Sequence, residues 1–173
     1  MIYFDHAASS YPKPKSVAEA MSEAILSYSA NPGRGGHKLA EQARLAVEEA
    51  RKKVAQLFSA PSSKHVWFYQ NATMAINQAL LGFPFKKGDH VITTMFEHNS
   101  VIRPLKQLIE EKGIEVSFIE PDENGLINAK NVIEAINDQT VLLAITHASN
   151  VTGAIFPIRT LQHWQKRKGL SCL

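Results

Sequence analysis

The segment that decides the fold is GDHVITTMFEHNSVIRPL, residues 88–105. Its first part, DHVITT (89–94), is a short apolar run of the kind found in strands buried on both faces. Polar residues from Glu97 to Ser100 follow, and a helical pattern then begins. A strand that passes through a polar turn into a helix is the repeating unit of parallel sheets. The segment therefore predicts an α/β fold with polar side chains at the carboxyl end of a buried strand.

The same alternation extends along the chain from about residue 65 and favours a mostly parallel sheet flanked by helices. Before it, two amphipathic helices and Gly-rich loops predict a separate N-terminal segment over residues 1–60, with the sheet domain at 61–173. Ser16 is expected to cap the first helix, and Gly113 and Gly169 to end two later ones. We expect strands at 65–70, 89–94, 115–120 and 140–147, and helices at 16–28, 38–58, 71–83, 100–113, 127–137 and 158–169.

Composition narrows the class of protein. The chain has 173 residues, 45% hydrophobic and 20% charged, as in ordinary globular proteins, and its net charge of +3 argues against nucleic-acid binding. Its longest apolar runs are too short to span a bilayer, and its N-terminus lacks the pattern of a signal peptide. The single cysteine, Cys172, predicts a reducing, cytoplasmic compartment. The histidines lack zinc-site spacing, so no metal is expected.

The predicted strand ends supply the candidate site, because ligands of parallel sheets bind beyond the carboxyl ends of the strands. Ala72 and Thr73 open a predicted helix, whose free N–H groups and dipole suit a phosphate. His98 offers a flat imidazole ring, a residue type that can exchange protons, and Asn150 offers an amide. Simpler interpretations remain open: Asn71 or Thr73 as a helix cap, His98 on a surface loop, and Asn150 in a turn.

Five segments together resemble the cysteine desulfurase and selenocysteine lyase group of class V aminotransferase-like enzymes. They are FDHAASSYPKP (4–14), NPGRGGH (31–37), NATMAIN (71–77), GDHVITTMFEHNSVIRPL (88–105) and THASNVTGAIFPI (146–158). The resemblance implies a fold-type-I large domain that binds pyridoxal 5'-phosphate and an enzyme that removes sulfur or selenium from cysteine or selenocysteine, leaving alanine. It also implies a homodimer that can serve a sulfur-acceptor protein.

By this resemblance, Ala72 and Thr73 bind the cofactor phosphate. His98 stacks on the pyridine ring and shuttles protons as the catalytic residue, while Asn150 lies near the phenolic oxygen. Weaker matches around the substrate pocket are Ala7, Ala8, Arg34 and His37.

The chain also departs from the family pattern. Family members are much longer, and their covalent lysine, ring-binding aspartate, nucleophilic cysteine and carboxylate-binding arginine all lie further downstream. No lysine here has the family's lysine context, and Cys172 is not at the nucleophile position. We therefore expect an incomplete, truncated large domain that is inactive alone. The alternatives are another class V enzyme, which transfers amino groups or cleaves kynurenine-like substrates, or a non-catalytic remnant that binds a partner.

Overall fold

The structure is a computed structural model that describes residues 2–168 and 170–173. The chain divides into two compact units, Met1–Phe68 and Tyr69–Leu173. The first contains α1 (Lys15–Ser27), α2 (Lys38–Leu57) and a 3₁₀ turn (Ser63–His65). The second contains α3 (Ala72–Leu81), β1 (His90–Thr94), α4 (Asn99–Lys112), β2 (Glu115–Ile119), α5 (Ala129–Glu134), β3 (Thr140–Leu143), α6 (Ile158–Lys168) and β4 (Ser171–Cys172).

The second unit is built on one parallel sheet with the strand order β2-β1-β3-β4. This confirms the predicted α/β class. All five residues of β1 are buried, as expected of a central strand covered on both faces. Because β1 and β3 are neighbours in the sheet, the loops that follow them start side by side.

Two hydrophobic clusters cover opposite faces of this sheet. Val91 packs with residues of α3 and α4, including Leu80 and Leu105. Its neighbour Ile92 packs with residues of α5 and α6, including Val132 and Leu161. Successive side chains of a strand point to opposite faces, so this division places α3 and α4 on one face and α5 and α6 on the other.

A buried histidine links the three neighbouring strands β2, β1 and β3. His90 is 3% exposed. Its Nδ1 lies 2.8 Å from the Thr140 hydroxyl on β3, and its Nε2 lies 2.8 Å from the Ser117 hydroxyl on β2. Burial lowers the pKa of His90, although the nearby Glu115 carboxylate acts in the opposite direction. The imidazole is therefore held neutral, in a fixed orientation.

Two local predictions are wrong. Residues 65–70 form no strand in the described chain; after the 3₁₀ turn they run as a loop in which Trp67 is 72% and Phe68 51% exposed. A strand requires a hydrogen-bonded neighbour, and no described residue pairs with this segment. Ser16 is not a cap, because α1 starts one residue earlier, behind Pro14, without a side-chain cap.

One of the two predicted glycine ends can be checked against the structure. Gly113 ends α4 in the left-handed conformation, with φ +67°, as expected. The predicted helix end at Gly169 lies outside the described residues.

The unit Met1–Phe68 leaves much apolar surface uncovered. No residue of α1 is buried, and Met21, Ile25 and Leu26 are 63%, 66% and 81% exposed. An apolar groove between α1 and α2 has Ala24, Ala46 and Ala50 among its lining residues. Small side chains at these positions leave the groove open.

Candidate functional site

The start of α3 leaves hydrogen-bond donors available. Asn71 caps the helix, since its Oδ1 accepts a hydrogen bond from Met74 N at 2.9 Å. The interpretation of Asn71 as a helix cap is thus confirmed, and Thr73 is not the cap. Among the described residues, the backbone N–H groups of Ala72 and Thr73 and the Thr73 hydroxyl have no hydrogen-bond partner. Two amides and a hydroxyl at a helix N-terminus form an anion-binding donor set.

His98 combines a capping role with an exposed ring. It is the N-cap of α4, and its Nδ1 accepts a hydrogen bond from Ser100 N at 3.1 Å. Nδ1 also lies 2.9 Å from the Ser100 hydroxyl. A ring nitrogen that accepts from a backbone N–H carries no proton, so the neutral imidazole has its proton on Nε2. Within the described chain Nε2 makes no hydrogen bond, which leaves its N–H available to a ligand.

Asn150 lies in a tight turn held together by its neighbour Ser149. Ser149 is 6% exposed, and its hydroxyl accepts hydrogen bonds from Val151 N and Thr152 N, both at 3.2 Å. Gly153 N donates to Ser149 O at 2.9 Å and closes the turn. The turn interpretation is therefore correct for the backbone. The exposed Asn150 amide takes no part in it and has no partner among the described residues.

Glu97 ties the loop of His98 to the loop of Asn150. Its Oε1 accepts hydrogen bonds from the Thr94 hydroxyl at 2.9 Å and from Thr146 N at 2.8 Å. Burial raises the pKa of Glu97, while these two hydrogen bonds lower it. The sequence contained a signal for this role: an acid in the short turn after a buried strand must find hydrogen-bond donors or stay solvated.

Asn77 provides a second tie, between α3 and α4. Its Nδ2 donates to Thr73 O at 2.8 Å and to Ser100 O at 3.2 Å. The carbonyl of Thr73 is thus fixed relative to the residue that orients the His98 ring. Nothing local in the sequence distinguished this asparagine, because Ser100 lies 23 positions further on.

Two cavities share Glu97 and His98 in their walls. The larger, of about 470 Å³, also has Asn150 and Thr152 in its lining. The smaller, of about 220 Å³, is lined by Ile76 of α3 and by the residues that follow β3. The structure thus brings His98 and Asn150 to one cavity and α3 to its neighbour. Ala72 and Thr73 are not in either lining; they precede Ile76 by one turn of α3.

The remaining predicted residues belong to the unit Met1–Phe68. Ala7 and Ala8 are exposed in a turn where Ala8 N donates to Asp5 O at 3.2 Å. Arg34 is exposed, and the described residues include no ion pair to it. His37 caps α2, its Nδ1 accepting from Ala40 N at 3.3 Å. Their roles at a substrate pocket stay predictions.

The loop of Arg34 depends on a glycine. Gly35 has φ +107°, and a β carbon there would lie 2.9 Å from the His37 ring. A larger residue would be strained by its backbone and would displace the helix cap.

The donors of the second unit fit pyridoxal phosphate held without a covalent bond. The start of α3 suits the phosphate, the exposed face of His98 suits a flat aromatic ring, and the Asn150 amide suits a ring oxygen. No lysine is among the described residues that line the two cavities. This donor set supports binding of the cofactor's phosphate and ring but supplies no amine for its aldehyde.

Other kinds of site receive little support. The described side chains include no group of three His, Cys, Asp or Glu residues placed to hold a metal ion. In the described helices, no stretch is both long and apolar enough to cross a bilayer. Cys172 lies on β4; its surroundings raise the pKa of the thiol by burial, although part of the side chain stays exposed. A raised pKa leaves little reactive thiolate at neutral pH.

Comparison with known proteins gives consistent results. Residues 2–173 match the aminotransferase class-V family. A probable cysteine desulfurase of Pyrococcus abyssi is 37% identical over 98% of the chain, and the chain covers 42% of that relative. The cysteine desulfurase IscS of Shewanella denitrificans is likewise 37% identical, with 98% and 42% covered. The chain therefore spans about two fifths of the length of the curated relatives it matches.

Solved structures show the same similarity. The apo structure of a cysteine desulfurase from Thermococcus onnurineus NA1 superposes with a TM-score of 0.90 at 36% identity, over 99% of this chain and 42% of that one. SspA in complex with cysteine superposes with a TM-score of 0.89 at 31% identity, over 99% and 49%.

Proposed function

The chain belongs to the class-V aminotransferase family, and from this premise we propose that it provides the phosphate- and ring-binding part of a pyridoxal phosphate site in a cysteine desulfurase-like enzyme. One observation carries the proposal. His98 and Asn150 share a cavity, and the donor-rich start of α3 is tied by Asn77 to the turn that orients His98.

Ala72 and Thr73 bind the cofactor phosphate in this proposal. Their two backbone N–H groups and the Thr73 hydroxyl have no other partner in the described chain, so a phosphate would replace water only. The positive end of the α3 dipole adds attraction for the anion. Asn71 satisfies the Met74 amide from the side and keeps the first two amides free.

His98 covers the ring and handles protons. Its Nδ1 is occupied by Ser100, which fixes the tilt of the imidazole and leaves the proton on Nε2. Bound pyridoxal phosphate supplies an electron sink for bonds breaking at the substrate's α carbon. His98 stacks on that ring, and proton transfer at Nε2 suits a general acid–base role when Nδ1 carries a proton toward the Ser100 hydroxyl.

Asn150 orients the ring from the other side of the larger cavity. Its amide donates to the cofactor's phenolic oxygen in this proposal. The hydrogen bonds of Ser149 hold the backbone of this turn, so the position of Asn150 does not depend on contacts of its own side chain.

The reaction we propose for the complete enzyme is removal of sulfur or selenium from cysteine or selenocysteine. An acceptor thiolate attacks the sulfur, so that the sulfur–sulfur bond of a persulfide forms as the carbon–sulfur bond breaks. The β carbon keeps the electron pair and takes up a proton, which leaves alanine. Ala7, Ala8, Arg34 and His37 border the substrate in this proposal, with Arg34 matched to a carboxylate. We also propose a cytoplasmic homodimer that passes sulfur to an acceptor protein. We expect no turnover from the 173-residue chain alone, because the described residues that line the two cavities include no lysine and burial raises the pKa of the Cys172 thiol.

Phosphate binding at α3 can be tested by titrating the chain with pyridoxal phosphate and following its ³¹P resonance. Thr73→Val removes only the hydroxyl donor and should weaken binding about tenfold or more, as expected for a hydrogen bond to a charged group. Thr160→Val is the matched control, because Thr160 is exposed on α6 and lines neither cavity. Equal affinities for wild type and Thr73→Val, or no saturable binding by wild type, would contradict the proposal.

The proposed absence of a covalent lysine from this chain can be tested separately. The chain is mixed with one equivalent of pyridoxal phosphate, reduced with borohydride and mapped by mass spectrometry. We expect no lysine to be labelled stoichiometrically. A complete adduct at one lysine would show that the chain carries its own covalent anchor and would overturn the prediction of inactivity.

A further inference from the structure

The backbone hydrogen bonding between β1 and β3 ends just before the candidate site. The last backbone hydrogen bond between them runs from Ala144 N to Ile92 O at 2.9 Å, and the Thr93 hydroxyl adds a bond to Ala144 O at 2.8 Å. Beyond Ala144 the two chains continue as loops, one carrying His98 and the other Asn150. Their spacing must therefore be set by contacts outside the sheet.

Two contacts among the described residues perform this task. The rings of Phe96 and Phe156 lie with their centroids 5.1 Å apart and join the loops by apolar packing. Glu97 Oε1 supplies the polar contact, at 2.8 Å from Thr146 N. An aromatic contact tolerates sliding, whereas a short hydrogen bond to a backbone amide fixes both distance and direction. Glu97 is therefore the more exact of the two ties.

The tie is anchored on both sides. On the β1 side, the Thr94 hydroxyl donates to the same Oε1 and accepts from Phe96 N at 3.2 Å. On the β3 side, the Thr146 hydroxyl donates to Ala148 O at 3.2 Å. Ala148 pairs with Ile155 across the neck of the loop that contains Asn150. One carboxylate oxygen thus joins the residue next to His98 to the base of the loop that carries Asn150.

We propose that Glu97 is a positioning residue that sets the spacing between His98 and Asn150 to that of a pyridoxal ring. The inference rests on the proposed function, since it assigns the ring to the cavity these two residues share. A carboxylate suits the task because charge-assisted hydrogen bonds are shorter and stronger than neutral ones. The raised pKa of Glu97 shows that burial opposes this charge, so the position carries an electrostatic cost.

The test compares two ligands that differ only in the ring. Inorganic phosphate engages the start of α3 alone, whereas pyridoxal phosphate also needs His98 and Asn150 at their proper spacing. Both affinities are measured by ³¹P titration for wild type, Glu97→Ala and Glu97→Gln. Glu120→Ala is the matched control, because Glu120 directly follows the neighbouring strand β2 and is exposed.

Glu97→Ala should weaken pyridoxal phosphate binding about tenfold or more and leave inorganic phosphate within about twofold. Glu97→Gln keeps an oxygen acceptor and should recover most of the affinity, and Glu120→Ala should match wild type. Amide exchange at Thr146 should accelerate in Glu97→Ala only.

Each contrary result has a distinct meaning. Equal weakening of both ligands would indicate general destabilisation and overturn the inference, as would unchanged binding in Glu97→Ala or no recovery in Glu97→Gln. Failure of wild type to bind pyridoxal phosphate would overturn the proposed function itself, and this inference with it. An unchanged Thr146 exchange rate in Glu97→Ala would overturn the structural tie independently of any ligand.

Discussion

Acid should destabilise the sheet domain through His90. In the unfolded chain this imidazole titrates near its usual pKa of about 6.5. In the folded chain burial lowers the pKa. Below about pH 6.5 the unfolded state therefore binds a proton at this imidazole and the folded state does not. The free energy of unfolding decreases as the pH falls from about 6.5 to the folded-state pKa. One such group changes the free energy of unfolding by at most about 1.4 kcal/mol per pH unit.

Substitutions separate the charge effect from the hydrogen bonds. Asn at this position places an amide near the site of Nδ1 and can keep the bond to Thr140, but it cannot titrate. His90→Asn should lose the bond to Ser117, costing about 1 kcal/mol, and should lose the acid sensitivity. His90→Ala removes both bonds and leaves a cavity, so we expect a loss of about 3 kcal/mol at pH 7.5.

Urea unfolding followed by circular dichroism at pH 7.5 and 5.5 measures both effects. The comparison is the difference between wild type and His90→Asn at each pH, since Glu97 has a raised pKa and contributes a slope of opposite sign to both proteins. The difference should shrink at pH 5.5, where wild type loses stability and the variant does not. An identical pH slope in wild type and His90→Asn would refute the assignment of acid sensitivity to this residue.

Leu105→Ala should lower the free energy of unfolding by about 2–5 kcal/mol, because Leu105 is 0% exposed in the α3–α4 cluster. Ile109 lies on the same helix but is 37% exposed, so Ile109→Ala should lower it by less than about 1.5 kcal/mol in the same urea unfolding. Asn71→Ala should lower the free energy of unfolding by about 1 kcal/mol, because it removes the α3 cap. Asn71→Asp should keep the stability measured by urea unfolding but weaken pyridoxal phosphate binding in the ³¹P titration, because the new carboxylate repels the phosphate. Gly113→Ala should cost about 1–2 kcal/mol on denaturation, because φ is +67° and the new β carbon would lie 3.2 Å from Lys87 Cγ. A stable Gly113→Ala protein, or equal losses for Leu105→Ala and Ile109→Ala, would contradict these packing arguments.

Most of the sheet could be predicted from sequence because its signals are local. The apolar run of β1 and the glycine that ends α4 each lie within the element they define. The segment 65–70 shows where this reasoning fails. Its residues have the composition of a strand, but a strand also needs a neighbour, and the identity of that neighbour is a property of the whole chain. The apolar run alone therefore predicted an element that the structure does not contain.

Some residues of the candidate site could likewise be predicted from sequence, and others could not. His98 and Asn150 could be placed together because each follows a buried strand, and the two strands proved to be neighbours. Glu97 and Asn77 were missed, since their partners Thr146 and Ser100 lie 49 and 23 positions away. Side chains that hold loops together depend on distant contacts, and no short sequence window contains both ends of such a contact.

The turn around Ser149 has a consequence for how such an enzyme can change over evolutionary time. Its shape depends on a buried hydroxyl, two backbone amides and a glycine with φ +73°, and position 150 contributes nothing to it except the residue it displays. Substitution at position 150 should therefore change the side chain that faces the cavity with little penalty in folding. The loop backbone can persist over evolutionary time while residue 150 changes, so a lineage could lose the proposed ring contact there and still keep the fold.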